Sequence, residues 1–268
     1  MRRILLIGLL LFPLWSCVGQ KEDPEPIVEP VTDPVDGSAD MGTRFFRRTL
    51  AFDFTATWCQ YCPNMASCLE TAKSLRPGRI VNVSVHYADE FSSKDADDIV
   101  NSFRVSAFPT LIFDMDPKTA TYDPSVAPMT AYVDGALKGT APCGIGWTLE
   151  DGSLVLKVKA AEVGEYMVAA LLLEDGIITQ QTGVGPYYSQ EAVLRKVLTG
   201  TFLGDSIGTL SEGDEKTLPL GKIPPGDSYR VVAYVQKKTN GVFRVVNAVE
   251  GKPDQEKEYR FEPVTPQK

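Results

Sequence analysis

The apolar positions of this chain change their rhythm once. Between about residues 49 and 137, compact apolar runs take turns with longer segments whose apolar residues recur every three or four positions. The runs at 49–55, 80–86 and 110–114 read as strands, and the segments at 59–75, 96–103 and 129–137 read as helices. Strand and helix in alternation point to an α/β layer. Beyond about Gly139 the rhythm becomes two-fold. Leu154, Leu156, Val158 and Ala160 alternate with polar residues, as do Val231, Ala233 and Val235. The stretch 166–173 is continuously apolar, as in a strand buried on both faces. Thr239-Asn240-Gly241 supplies a hairpin turn into 243–249. One helix, 189–198 with Ser189 as N-cap, interrupts these strands. The pattern predicts an α/β domain over 44–140 and an immunoglobulin-like β-sandwich with one helix over 141–268, each able to fold by itself. No internal repeat is present.

The N-terminal segment has a different character. Arg2 and Arg3 precede an apolar stretch, 4–14, that is too short for a spanning helix. Residues 1–16 therefore read as an export signal. Leu14-Trp15-Ser16-Cys17 resembles the bacterial lipobox, which implies an acylated Cys17 as the first residue of the mature chain. The other reading is an ordinary secretory signal with an incidental cysteine. Residues 17–43 form an acidic tether with Pro24, Pro26, Pro30 and Pro34, extended at about 3 Å per residue. Gln20-Lys21-Glu22-Asp23 is similar to the lysine-plus-acid signal that sends some lipoproteins of Bacteroidota-type bacteria to the cell surface. The expected location is the cell envelope, lipid-anchored and in the outer membrane, facing the periplasm or the surface.

Charge narrows the partners. Loss of Arg2 and Arg3 leaves 25 basic against 35 acidic residues, a net charge near −10. Such a chain is not built for nucleic acid or for anionic lipid surfaces. Its hold on the membrane is then the lipid at Cys17.

The chemistry concentrates at Asp53-Phe54-Thr55-Ala56-Thr57-Trp58-Cys59-Gln60-Tyr61-Cys62-Pro63. A cysteine at the start of a helix meets unpaired N–H groups and the positive end of the helix dipole, which stabilise a thiolate. A second cysteine one turn on can close a disulfide with it. A zinc site would need two further ligands at metal spacing, and the chain has a single histidine. No metal or organic cofactor is implied.

This segment resembles the thioredoxin pattern Asp-Phe-x-Ala-x-Trp-Cys-x-x-Cys, and 103–113 resembles the thioredoxin segment that carries a cis-proline beside the disulfide. The resemblance implies that Cys59 is the nucleophile, the more exposed and more acidic thiol. Cys62 is then the resolving thiol, and Asp53 a buried carboxylate that moves its proton. Trp58, Phe108 and Pro109 would form the groove for client proteins that carry thiols or disulfides. The alternatives on the residues themselves are a fixed structural disulfide and a solvated aspartate at a strand end. His86 ends a strand near the thiols, as a proton shuttle or as a packing or surface residue. Cys68 falls on the apolar stripe of its helix, and Cys143 begins the second domain. The two either pair in an interdomain disulfide or stay unpaired, with Cys68 buried in its domain's core as a small apolar residue.

The succession of lipoprotein signal, thioredoxin-like domain and β-sandwich resembles the twenty-eight-kilodalton outer membrane protein family of Bacteroidota-type bacteria. Tyr187-Tyr188-Ser189-Gln190-Glu191-Ala192-Val193-Leu194-Arg195 is similar to that family's tyrosine-to-Val-Leu-Arg segment, with Ser189-Gln190-Glu191 where histidine and asparagine are expected. Two functions follow from these readings. One is a lipid-anchored thiol–disulfide oxidoreductase acting on exported proteins. The other is a surface binding or adhesion lipoprotein that uses the thioredoxin fold as a scaffold.

Overall fold

The computed structural model describes residues 41–224 and 226–263. The export signal, Cys17 and nearly all of the tether lie outside them. The first half contains strands β1 (Met41–Phe45) and β2 (Thr49–Thr55), helix α1 (Cys62–Leu75), strand β3 (Ile80–His86), helix α2 (Lys94–Phe103), strand β4 (Thr110–Phe113) and helix α3 (Val126–Leu137). Strands follow from there: β5 (Cys143–Glu150), β6 (Ser153–Ala160), β7 (Gly164–Glu174), β8 (Ile177–Gln181), β9 (Gly185–Gln190) and β10 (Val193–Val197). The last are β11 (Asp205–Leu210), β12 (Glu215–Lys222), β13 (Tyr229–Thr239), β14 (Val242–Gly251) and β15 (Phe261–Pro263).

One eight-stranded sheet runs through both halves in the order β14-β13-β7-β10-β3-β2-β4, with β11 also on β7. The junction is β10. It lies parallel to β3 with Val193 opposite Ser84, and antiparallel to β7 with Leu194 opposite Leu173. Ser84 also holds the two residues just before β10, its N–H donating to the Ala192 carbonyl at 2.8 Å and its hydroxyl to the Glu191 carbonyl at 2.8 Å.

Side chains alternate faces along each strand, so the sheet has two cores. On one face Leu50, Phe52 and Phe54 of β2 join Val81, Val83 and Val85 of β3 under Ile99 and Val100 of α2. That core continues without a break to Leu171 of β7 and Tyr234 of β13. On the other face of β2 and β4, Ala51, Leu111 and Phe113 meet Met65 and Leu69 of α1 and Met129 of α3. Farther along the sheet, Val168 of β7 and Ala233 of β13 pack on Trp147 and Leu156 of the three-stranded sheet β12-β6-β5. A buried side chain such as Phe52 contributes roughly 2–3 kcal/mol.

The residues after α3 are strands throughout, with no helix among the described residues. The helix expected at 189–198 is β9 and β10 instead, broken at Ala192, whose φ is +56°. Val193, Leu194 and Val197 have a spacing that also suits a helix. The slot between β3 and β7 decides otherwise, because tertiary pairing overrides a weak local pattern. Ser189 caps nothing; its hydroxyl donates to Glu191 Oε1 at 2.6 Å. Two helices begin before their expected starts. α2 starts at Lys94 because Ser93 Oγ accepts the Ala96 N–H at 3.1 Å. α3 starts at Val126, with Pro128 in the first turn, where its missing N–H costs nothing.

Candidate redox site

Strand β2 ends at Thr55, and the chain makes one turn before α1. Cys59 N–H donates to the Ala56 carbonyl at 3.1 Å. The helix begins at Cys62, three residues later than the sequence suggests, with Pro63 in its first turn. Cys59 thus lies just ahead of the helix, not on it. Tyr61 at the N-cap makes no side-chain capping bond, so the N–H groups of the first turn have no side-chain cap. Cys59 and Cys62 are joined in a disulfide with Cα atoms 5.5 Å apart. Both are nearly covered, at 4% and 2% exposure, so exposure does not single out Cys59 as the resemblance implied.

The flank of the disulfide is aromatic. The Phe108–Pro109 bond is cis, and Phe108 packs on Ala56 and the two cysteines. Trp58 meets the Phe108 ring edge-on at 5.5 Å, and Tyr87 stacks on it at 5.5 Å. Trp58 Nε1 donates to the Tyr87 carbonyl at 3.0 Å. Its indole stays 47% exposed, and Tyr61 is exposed as well.

Asp53 lies inside β2, paired with Ser84 of β3 and Leu111 of β4. It is 3% exposed, and Oδ1 has no hydrogen-bond partner. Burial pushes its pKa from 3.8 up to about 7. The solvated strand-end reading is therefore wrong for this residue. Beside it is a cavity of about 220 Å³ whose walls include Asp53, Ser84, Asn82, Gln181 and Tyr188. Burial, then the nearby charge of Asp53, raises the Tyr188 hydroxyl.

His86 is buried at the end of β3, with Nδ1 2.7 Å from Asp89 Oδ2 and Nε2 without a partner. Burial would raise the Asp89 carboxyl. The hydrogen bond and charge of His86, with the N–H groups of Thr57 and Phe91, outweigh it and hold the carboxyl below its ordinary value. The same Asp89 oxygen takes the Thr57 N–H at 2.8 Å. His86 thus braces the turn before Cys59.

The strand region after α3 contributes a wall the sequence did not announce. Hairpin β8–β9 lies against the CxxC turn. Gln181 Nε2 donates to the Cys59 carbonyl at 2.8 Å and to the Ala56 carbonyl at 3.2 Å. Thr182 N–H donates to the Thr57 carbonyl at 2.9 Å. Glu90 ties the two sides together, accepting from Thr57 Oγ1 at 3.1 Å and Thr179 Oγ1 at 2.9 Å. A glutamine in a short polar strand looks like any surface residue, so no local signal marks Gln181.

Cys68 and Cys143 are free thiols. Cys68 is half-buried on α1, with Sγ 3.1 Å from the Pro124 carbonyl. Cys143 is fully buried between the sheets, and burial pushes its thiol up. The interdomain disulfide is not formed. Among the described residues no cluster of His, Cys, Asp and Glu is placed to hold a metal, and no helix is long and apolar enough to cross a membrane.

Comparison with known proteins agrees with this geometry. The thioredoxin family model matches residues 47–127, which makes this segment a thioredoxin domain followed by a mostly β region. HBP35 of Porphyromonas gingivalis shares the fold at a TM-score of 0.65 and 19% identity, over 83% of this chain and 79% of that one. Protein AGR_C_4864 from Agrobacterium tumefaciens gives a TM-score of 0.58 at 15% identity, over 80% of this chain and 96% of the other. Both likenesses extend well past the thioredoxin segment, so the combined architecture recurs. No curated protein matches the chain.

Proposed function

We propose that this protein is a lipid-anchored thiol–disulfide oxidoreductase acting on exported proteins through Cys59 and Cys62. The observation that carries this reading is the buried, unpartnered Asp53, whose cavity is walled also by Pro63, the residue after Cys62, and by Gln181, which bonds the Cys59 carbonyl. A carboxyl with a pKa of about 7 is half-ionised at neutral pH and can both take and return a proton. A fixed staple has no use for it, and burying it costs stability.

In the reducing direction, the Cys59 thiolate attacks one sulfur of a client disulfide. That S–S bond breaks, a Cys59–client bond forms, and the client's other sulfur leaves as a thiolate that picks up a proton. Cys62 then gives its proton to Asp53 and attacks Cys59 Sγ. The Cys59–Cys62 bond closes, the client's first sulfur is released, and two electrons have passed to the client. Oxidation is the same sequence in reverse. Trp58, Phe108 and Pro109 shape the surface on which an extended client strand lies. Cys17 holds the enzyme to the outer membrane by its lipid, and the acidic tether sets its reach.

The test is trapping. Cys62→Ser should accumulate mixed disulfides, because attack proceeds and resolution cannot. Cys59→Ser should trap little. A wild type that reduces no test disulfide, together with single-cysteine variants that trap nothing, would leave the binding-lipoprotein reading. The potential of the pair sets the direction: about −270 mV marks a reductant and about −120 mV an oxidant. A Cys17→Ala chain should lose its lipid and leave the membrane fraction.

A further inference from the structure

We propose that Gln181, on the hairpin of the strand region, is a positioning residue of the redox site that lowers the pKa of Cys59 and raises the potential of the pair. The proposal rests on the redox reading of Cys59 and Cys62.

The Cys59 carbonyl needs a donor. In a helix entered normally, the N–H four residues on would supply it. That residue is Pro63, which has none. Gln181 fills the gap, with Nε2 2.8 Å from the Cys59 oxygen. Its second N–H takes the Ala56 carbonyl at 3.2 Å. Its Oε1 accepts from Gln190 Nε2 at 2.8 Å. Both glutamines are buried, at 1% and 5% exposure. These partners also fix which way the amide points. Turned over, Gln181 would set its oxygen against two carbonyls and its nitrogen against the Gln190 nitrogen. The hairpin tip is equally close. Gly183 sits at φ +85°, and a Cβ there would be 3.1 Å from the Gln60 carbonyl.

The electrostatic consequence follows. A carbonyl dipole with no donor leaves its negative end beside the sulfur of the same residue. An N–H aimed at that oxygen offsets it and favours the thiolate. A more stable thiolate stabilises the reduced pair, which makes the couple more oxidising. The strand region thereby acts on the chemistry of the thioredoxin segment through one side chain.

The experiment uses the full soluble chain. Gln181→Leu keeps the bulk and removes both donors. Its Cys59 pKa, followed by thiolate absorbance, should rise by up to about one pH unit. Alkylation of Cys59 at pH 6 should slow about threefold, since lost thiolate is partly offset by greater nucleophilicity. The potential should move toward more reducing values. Gln190→Met keeps both Gln181 donors and removes only the partner that orients them, so it should shift pKa and potential in the same direction by less. It also decides the matter if Gln181→Leu fails to fold. Thr179→Val loosens the tie to Glu90 without touching the Cys59 carbonyl and should leave pKa and potential unchanged. Unaltered pKa, rate and potential in both glutamine variants, beside an active wild type, overturn this proposal and leave the redox function standing. So does an equal shift in Thr179→Val, which would make the effect one of hairpin looseness. A wild type without any thiol–disulfide turnover overturns both.

Discussion

Strand β2 has a buried carboxylate near each end, and the protein handles the two in opposite ways. Asp114 lies against the start of the strand, where the Leu50 N–H donates to Oδ1 at 2.8 Å and the Tyr132 hydroxyl to Oδ2 at 3.0 Å. Arg47 Nη2 is 3.9 Å away. Asp53 lies two residues before the end of the strand, which leads into the CxxC turn, and its Oδ1 has no partner. Burial raises both, Asp53 to about 7 and Asp114 only to about 6, because Leu50, Arg47 and Tyr132 pull Asp114 back. A buried acid with partners ties a chain reversal to the sheet. A buried acid without them weakens the fold, and the proposed function gives that cost a use in proton transfer. The two ends of one strand thus separate a carboxylate held by partners from one left without them, the proton carrier of the proposed reaction.

The largest expected effect tests the Asp53 side. Its folded pKa lies above the unfolded value, so the folded state holds the proton more tightly. Stability is fully present below about pH 4 and is lost as pH rises through about 7. The displacement from 3.8 to about 7 corresponds to at most about 4 kcal/mol at 1.36 kcal/mol per pH unit. Asp53→Asn removes this dependence. Relative to its own difference from wild type at pH 4, the oxidised variant should gain up to about 4 kcal/mol at pH 8 in urea unfolding, while disulfide turnover slows about 100-fold, the lower end of a general base's contribution. A parallel pair of stability profiles would mean that Asp53 is not a high-pKa acid, and the contrast would collapse.

The next effect tests Asp114. Asp114→Ala at pH 5 leaves the buried Leu50 N–H and the Tyr132 hydroxyl without their acceptor, at a cost of about 2 kcal/mol. Turnover per folded molecule should not change, since the CxxC turn is at the other end of the strand. A variant as stable as wild type would show that the bonds around Asp114 contribute nothing, and the structural label would fail.

How far these features could be read from residues alone depends on where their cause lies. Asp53, Trp58, the two cysteines and Pro109 were legible because the site draws on short segments whose residue order is itself the signal. β2, β3 and β4 were legible because their apolar runs are bounded by turns and helices. Asp114 gave no sign. It closes an apolar run, and its role comes from Tyr132 and Leu50, distant in sequence. Gln181 and Gln190 are invisible for the same reason, since two polar residues in short strands announce exposure and are buried only when the hairpin meets the CxxC turn. The 189–198 segment misleads outright. Its apolar spacing fits a helix, and only the open edge of β3 turns it into a strand.

The smallest effect is the most discriminating, because it asks whether partners are what distinguish the two acids. Tyr132 stacks on Phe113 with centroids 4.7 Å apart, and phenylalanine keeps that contact. Tyr132→Phe removes one hydroxyl, whose bond to Asp114 is 3.0 Å long. A donor to a carboxylate stabilises the charged form more than the neutral one, so its loss should raise Asp114 beyond about 6. The folded pKa moves farther above the unfolded value, and the stretch of pH over which stability falls extends upward. The variant should lose about 1 kcal/mol at pH 8 and less at pH 4, where Asp114 is protonated in both forms. Urea titrations at the two pH values measure the difference. A loss of equal size at both would mean the hydroxyl supports packing and not charge. Asp114 would then owe its lower pKa to Leu50 and Arg47, and one missing hydroxyl would no longer account for part of the difference between the two ends of β2.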